Sequence, residues 1–165
     1  MKKLTSMVAA ASLAVTAFFA GTAQAQIPSN NAANYFVVSM NESALILVPD
    51  SFIREDTYAA GWALIFLPEP TESPNGSAQG AWIFSAYDCV NHLQVPLMVQ
   101  IIAADGTILS STQASAGQQI APEVTQEGTF MDVALSLACV DERYETVKYT
   151  KEETIALIAA YDDAL

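Results

Sequence analysis

A pair of cysteines, Cys89 and Cys139, places the tightest limit on how this chain folds. Their meaning depends on compartment, because thiols stay reduced in cytosol and pair in exported proteins. The chain opens with Lys2 and Lys3, then an apolar run from Met7 to Ala20, a helix-breaking Gly21 and the small-x-small stretch Ala23-Gln24-Ala25. That order marks residues 1–25 as a signal peptide cut before Gln26. The apolar run is too short for a hydrocarbon core that takes about 20 residues. Later apolar segments are broken by Pro, Gly or charge. The sequence therefore predicts export to the periplasm, the cell surface or the extracellular space of a Gram-negative bacterium, with no membrane insertion after cleavage. Two cysteines in such a setting predict one disulfide, Cys89 to Cys139. Closing a loop of that length removes roughly 4 kcal/mol of unfolded-chain entropy. There is no C-x-x-C and no histidine at zinc spacing. Neither cysteine lies at the cleavage site, so the acylated cysteine of a lipoprotein is absent.

Charge narrows the partners. The whole chain has 6 bases against 18 acids, a formal net charge of −12. Lys2 and Lys3 belong to the signal segment, so four bases (Arg54, Arg143, Lys148, Lys151) face all 18 acids in the mature part, a net −14. A nucleic-acid binder working through many Lys and Arg contacts to phosphate is excluded. A polybasic membrane-surface protein is excluded on the same count.

Hydropathy supplies the elements. Tyr35 to Met40 and Ser43 to Val48 are rich in β-branched and aromatic residues and read as a hairpin closed by Pro49-Asp50. Tyr58 to Leu67 reads as a third strand, with Gly61 as its bulge position. Pro68 to Gly80, with three prolines and two glycines, reads as a long hairpin loop. Ala81 to Cys89 and Leu93 to Ala103 follow as strands, Pro96 marking a bulge or an edge. Asp105-Gly106 then turns the chain into Thr107 to Thr112. The period changes at Phe130, Val133, Ala134, Leu137 and Ala138, which predict an amphipathic helix from about Thr125 to Val140. A disulfide from Cys139 would staple that helix to the strand ending at Cys89. Thr150-Lys151-Glu152-Glu153 is a capping box opening a C-terminal helix. Six strands and two helices give an α+β class. The domain reading is a signal peptide at 1–25, an α+β domain at 26–146 and an acidic C-terminal helix at 147–165.

Several stretches together resemble the surface-adhesin protein E-like family of bacterial exported proteins. They are Leu45 to Phe52 (LILVPDSF), Tyr87-Asp88-Cys89, the hairpin Ile102 to Ser110, Ile120 to Glu123, and the helix closing at Leu137-Ala138-Cys139. The resemblance spans roughly residues 35 to 140. It implies a single antiparallel sheet of about six strands with the helix held on one face by the cystine. The namesake is a lipid-anchored adhesin for host matrix and plasma proteins. This chain departs from it in lacking the lipoprotein cysteine and in having only four mature bases.

Chemistry is sparse. His92, the sole histidine, stands four residues past Asp88, and such a couple serves as a general base only beside a nucleophile or bound water. No G-x-S-x-G or H-E-x-x-H accompanies it, so His92 reads as a solvated turn residue. Asp141, Glu142, Glu145, Glu152 and Glu153 lack the spacing of a calcium loop and read as a solvated acidic face. Trp62, Trp82, Tyr58, Tyr87, Phe66 and Phe84 read as core beneath the packed helix. No catalytic, cofactor-binding or metal-ligating residue is assigned, and no cofactor is expected. The expectation is a non-enzymatic binding protein whose ligand is a protein or an envelope component, contacted through a sheet face or edge. The alternatives are a periplasmic inhibitor acting through the 68–80 loop and, more remotely, a small enzyme using His92 and Asp88. Intact-mass measurement of exported material should find a chain starting at Gln26 that gains two hydrogen atoms on reduction; two free thiols without reductant would remove the helix tether.

Overall fold

Side-chain alternation along two long neighbouring strands organises the molecule. The computed structural model describes residues 35–40, 44–49, 52–115, 120–139, 147–150 and 153. In chain order its elements are β1 (Tyr35–Met40), β2 (Ala44–Pro49), β3 (Ile53–Glu55), β4 (Tyr58–Ser73), β5 (Gly76–Asp88), β6 (Leu93–Ile102), β7 (Ile108–Gln113), β8 (Glu123–Val124), α1 (Phe130–Ala138) and β9 (Val147–Tyr149). All pairings are antiparallel, and the main order is β7-β6-β5-β4-β2-β1-β9. Two short strands complete ladders that longer ones leave unfinished. β3 pairs Tyr58 to Ala60 of β4, beyond the stretch used by β2, and β8 pairs Leu93 and Gln94 of β6, beyond the end of β7. The single antiparallel sheet is thus as expected, but its main path has seven strands rather than about six. The extra elements are two or three residues long, too short for an alternation to register in the sequence.

One sheet face carries Val48, Ala59, Ala63 and Tyr87, and on it α1 packs Val133, Ala134, Leu135 and Ala138, all at most 3% exposed. The opposite face carries Ala60, Trp62 and Phe84, with Trp82, Leu97 and Met98 against them. Trp62 lies edge-on to Trp82 at 6.4 Å and tilted against Phe84 at 5.2 Å. Of the aromatics assigned beneath the helix, Tyr87 is there and Trp62, Trp82 and Phe84 are not. Period 2 decides this: the cross-strand pairs Ala59–Tyr87 and Trp62–Phe84 fall on opposite faces.

Gly61 is not a bulge, since its register opposite Ser85 is unbroken. It is a notch for Phe52, whose ring would lie 2.0 Å from a Cβ placed there. The bulge expected near Pro96 is present: Phe84 pairs with Met98 and Ser85 with Pro96, leaving Leu97 as the extra residue. The Asp105-Gly106 turn also forms, with Gly106 N–H donating to Ala103 O at 2.9 Å and Gly106 at φ +81°.

The helix is shorter than its apolar spacing predicts. Gly128 is left-handed at φ +78°, and Thr129 is the extended N-cap whose hydroxyl accepts from Asp132 N–H at 3.3 Å, so the helix cannot run back to Thr125. Asp132 in turn accepts from Gly128 N–H at 3.1 Å. At the other end Cys139 is the C-cap and forms the disulfide to Cys89, with Cα atoms 5.5 Å apart. No basic residue lies in the last turn; Arg54 of β3 supplies the charge instead, its Nε donating to Ala138 O at 2.6 Å and its Nη2 to Leu137 O at 3.2 Å. The described structure has one helix; of the expected C-terminal helix only Thr150 and Glu153 are described, and there the capping box is formed: Glu153 accepts from Thr150 N–H at 2.8 Å while its own N–H donates to Thr150 Oγ1 at 3.3 Å. The remainder of 151–165 lies outside the described residues. Val147–Tyr149, read as part of that helical segment, is instead a strand on β1.

Gly61→Ala should destabilise the fold by about 1–3 kcal/mol through overpacking against Phe52. Much of that loss should be recovered in the Gly61→Ala/Phe52→Leu double variant, read as a double-mutant cycle in urea. Additive losses would mean that the notch is not what requires glycine.

Candidate functional site

The two places that the sequence singles out, the Asp88–His92 turn and the 68–80 tract, lie at opposite ends of the sheet. The first is the turn after β5. Asp88 is buried at 5% exposure, and its carboxylate accepts three hydrogen bonds: Val90 N–H at 3.0 Å, Asn91 N–H at 3.0 Å and Asn91 Nδ2 at 2.8 Å. Burial alone would raise its pKa, but those bonds from Asn91 and Val90, with the nearby His92, hold the carboxyl below its ordinary value. His92 is exposed and left-handed at φ 54°. Its carbonyl accepts from Thr125 N–H at 3.1 Å and Thr125 Oγ1 at 3.2 Å. Asp88 and His92 therefore shape a turn that anchors β8, and the Asp88 carboxylate is engaged by Val90 and Asn91 rather than orienting the imidazole. Beside this turn, Tyr87 lies on the helix face, and burial pushes its phenol far above the ordinary value while the Ser85 hydroxyl pulls it only partly back.

Among the described residues no three His, Cys, Asp or Glu side chains gather as a metal site. Of the acidic cluster read from the sequence, Asp141, Glu142, Glu145 and Glu152 lie outside the described residues. Glu153 is spent on its capping box, where the Thr150 N–H and hydroxyl lower its pKa.

The second place is the tract 68–80, expected as a loop. It is mostly strand. β4 runs through to Ser73 and β5 starts at Gly76, so only Pro74 and Asn75 form the turn. The prolines find room because the ladder is interrupted: Phe66 pairs with Gly80, pairing resumes only at Thr71 with Ala78, and residues 67–70 have no β5 partner in between. Proline has no N–H to donate, so it sits without loss in such a gap. Gln79, 1% exposed, spans the gap by donating its side-chain amide to Leu67 O. Beyond it the arm Thr71 to Ala78 is a paired hairpin, tightened by Ser73 Oγ donating to Gly76 O at 2.6 Å.

Length explains what this arm leaves open. A nine-residue helix spans about 13 Å, whereas a 16-residue strand spans about 53 Å; α1 has the former length and β4 the latter. The helix covers the face near the cystine and not the far end. There a groove of about 330 Å³ opens, floored by Ile65, Leu67, Ala78, Gly80, Ala81 and Ile101 and rimmed by Thr71, Glu72 and Ser73. Its floor is apolar, and among the described residues Glu72 is the single ionisable group on its rim. The sequence reading assigned Ile65, Leu67 and Ile101 to strands and Thr71 to Ser73 to a loop, and so missed the groove. The available signal was Ser73-Pro74-Asn75-Gly76, a two-residue turn inside the supposed loop.

No protein-family model matches the chain, and a comparison with curated proteins finds no match. Among solved structures, protein E from non-typeable Haemophilus influenzae aligns over 86% of this chain and 95% of its own, at 10% identity and a TM-score of 0.41. Among the described residues no helix is long and apolar enough to cross a membrane.

The Asp88 turn makes a pH prediction. A carboxyl held below its ordinary value of 3.8 in the fold contributes stability that is present above that value and lost as pH falls through the lower, folded one. Asp88→Asn should therefore lower stability at neutral pH and flatten its dependence below pH 4. An unchanged acid slope in that variant would show that the carboxylate is not held by the turn.

Proposed function

We propose that the protein is an exported, non-enzymatic binding protein that takes a protein or envelope-component ligand at the end of the sheet remote from the cystine. The observation that carries this reading is the apolar groove flanked by the paired arm Thr71 to Ala78. A concave apolar floor with a few polar groups at its rim is the usual form of a recognition site. The N-terminal segment and the Cys89–Cys139 disulfide support export. The engagement of Asp88 by its own turn supports a binding role over hydrolysis. The inhibitor alternative keeps the same surface but now rests on a paired hairpin arm rather than a loop.

A photo-cross-linking residue at Ser73, on the groove rim, should give an adduct of discrete mass in the native compartment. The same residue at exposed Gln126, near the cystine end, should give none. Ala81→Leu, which fills the groove floor, should abolish the Ser73 adduct while the protein stays folded. Equal labelling from both positions, or an adduct indifferent to Ala81→Leu, would overturn the assignment.

A further inference from the structure

We infer that the outer edge of β7 accepts an extended, basic segment of a protein partner as an additional strand. This rests on the binding-protein reading and specifies its mode. Among the described residues β7 ends the strand order and pairs only with β6. Its sequence, Ile108-Leu109-Ser110-Ser111-Thr112-Gln113, has neither a charge nor a proline, and Ser111, Thr112 and Gln113 are exposed. Edge strands are ordinarily guarded by such residues. The other edge elements have them: Lys148 is central in β9, Arg54 and Glu55 lie in β3, and Glu123 lies in β8.

The direction of the β7 backbone follows from one bond. Ala114 N–H donates to Leu97 O at 2.8 Å, so Ala114 faces β6. Alternation then turns Thr112 inward and directs the N–H and C=O of Ser111 and Gln113 outward. Those outward groups are a template for strand addition, in which main-chain bonds supply affinity.

Charge and area select the occupant. A second copy meeting β7 edge to edge along a six-residue strand about 20 Å long, in a sheet layer about 10 Å thick, would bury on the order of 200 Å² per copy. A stable interface takes about 800 Å² per partner. Such a copy would also bring a second mature net charge of −14 against the first. An extended segment bearing Lys or Arg has no like-charged body to repel and is drawn in by the acidic field. It also has somewhere to continue. Leu109 Cδ2 lies 3.5 Å from the Cβ position of Gly76, so the start of β7 abuts the tip of the arm beside the groove.

The test uses the mature protein and a synthetic peptide alternating lysine with valine, followed by amide exchange. At saturation the Ser111 and Gln113 amides should slow by about tenfold or more, with protection centred on β7. Ser111→Pro removes an outward donor without touching the β6 ladder. It should leave the melting temperature unchanged and weaken peptide binding by about tenfold or more. Ser111→Thr should bind as the parent does. Protection elsewhere on the surface, or binding that survives Ser111→Pro, would overturn the inference. So would a dimer whose Ser111 and Gln113 amides are already protected without peptide. In each of those cases a Ser73 adduct lost on Ala81→Leu would still stand for the groove, so the two failures remain distinguishable.

Discussion

The attachment of one helix end decides the rest of this molecule. An isolated helix of nine residues is unstable in water, so α1 exists because the sheet holds it. Three contacts converge on its C-terminus: the cystine from Cys139 to Cys89 at the end of β5, the Arg54 guanidinium on the carbonyls of Leu137 and Ala138, and the Phe52 ring beneath that guanidinium at 5.4 Å. Phe52 reaches this place because Gly61 leaves room on β4, and it meets Tyr87 edge-on at 6.4 Å. A basic group at the helix terminus would ordinarily come from the helix itself. Here it comes from β3, which ties a three-residue strand into the same cluster.

That attachment also sets which part of the sheet stays open. Because α1 is anchored at the Asp88–Cys89 end, its short span leaves the far half of the same face to the arm and groove. The turn with the most polar chemistry, Asp88 to His92, thereby lies at the anchored end of the molecule, and the less conspicuous far end is its open side.

Much of the fold was legible in the residues. The β1–β2 hairpin, the Asp105-Gly106 turn, the bulge at Pro96, the Thr150 capping box and the cystine each carry a local chemical signature strong enough to survive tertiary context. What failed had no such signature. β8 and β9 are set by pairing with distant segments, and β3, though it pairs with the strand that follows it across Asp56-Thr57, is a three-residue run, Ile53-Arg54-Glu55, that shows no period. The prolines of Pro68-Glu69-Pro70 suggested a loop because their lack of a donor is a local property, whereas the gap that accommodates them belongs to the β4–β5 pairing. The groove was invisible for a related reason: it arises from a difference in length between two elements far apart in the chain. Gly61 was misread because a missing side chain looks the same in sequence whether it bends a strand or admits a neighbour.

The position of β9 has a consequence for the order of assembly. Tyr35, Phe36 and Val37 near the start of the sheet pair with Tyr149, Lys148 and Val147 near its end, so that junction closes over nearly the whole domain. Contacts of such separation carry the largest loop-closure cost and form after local hairpins. A chain delivered across a membrane amino end first would expose the outer side of β1 until β9 arrives. The hairpins and the cystine can be in place by then, since Cys139 precedes β9. β9 therefore acts as a closing seam, and a chain truncated before it would be left with an open, apolar edge at β1.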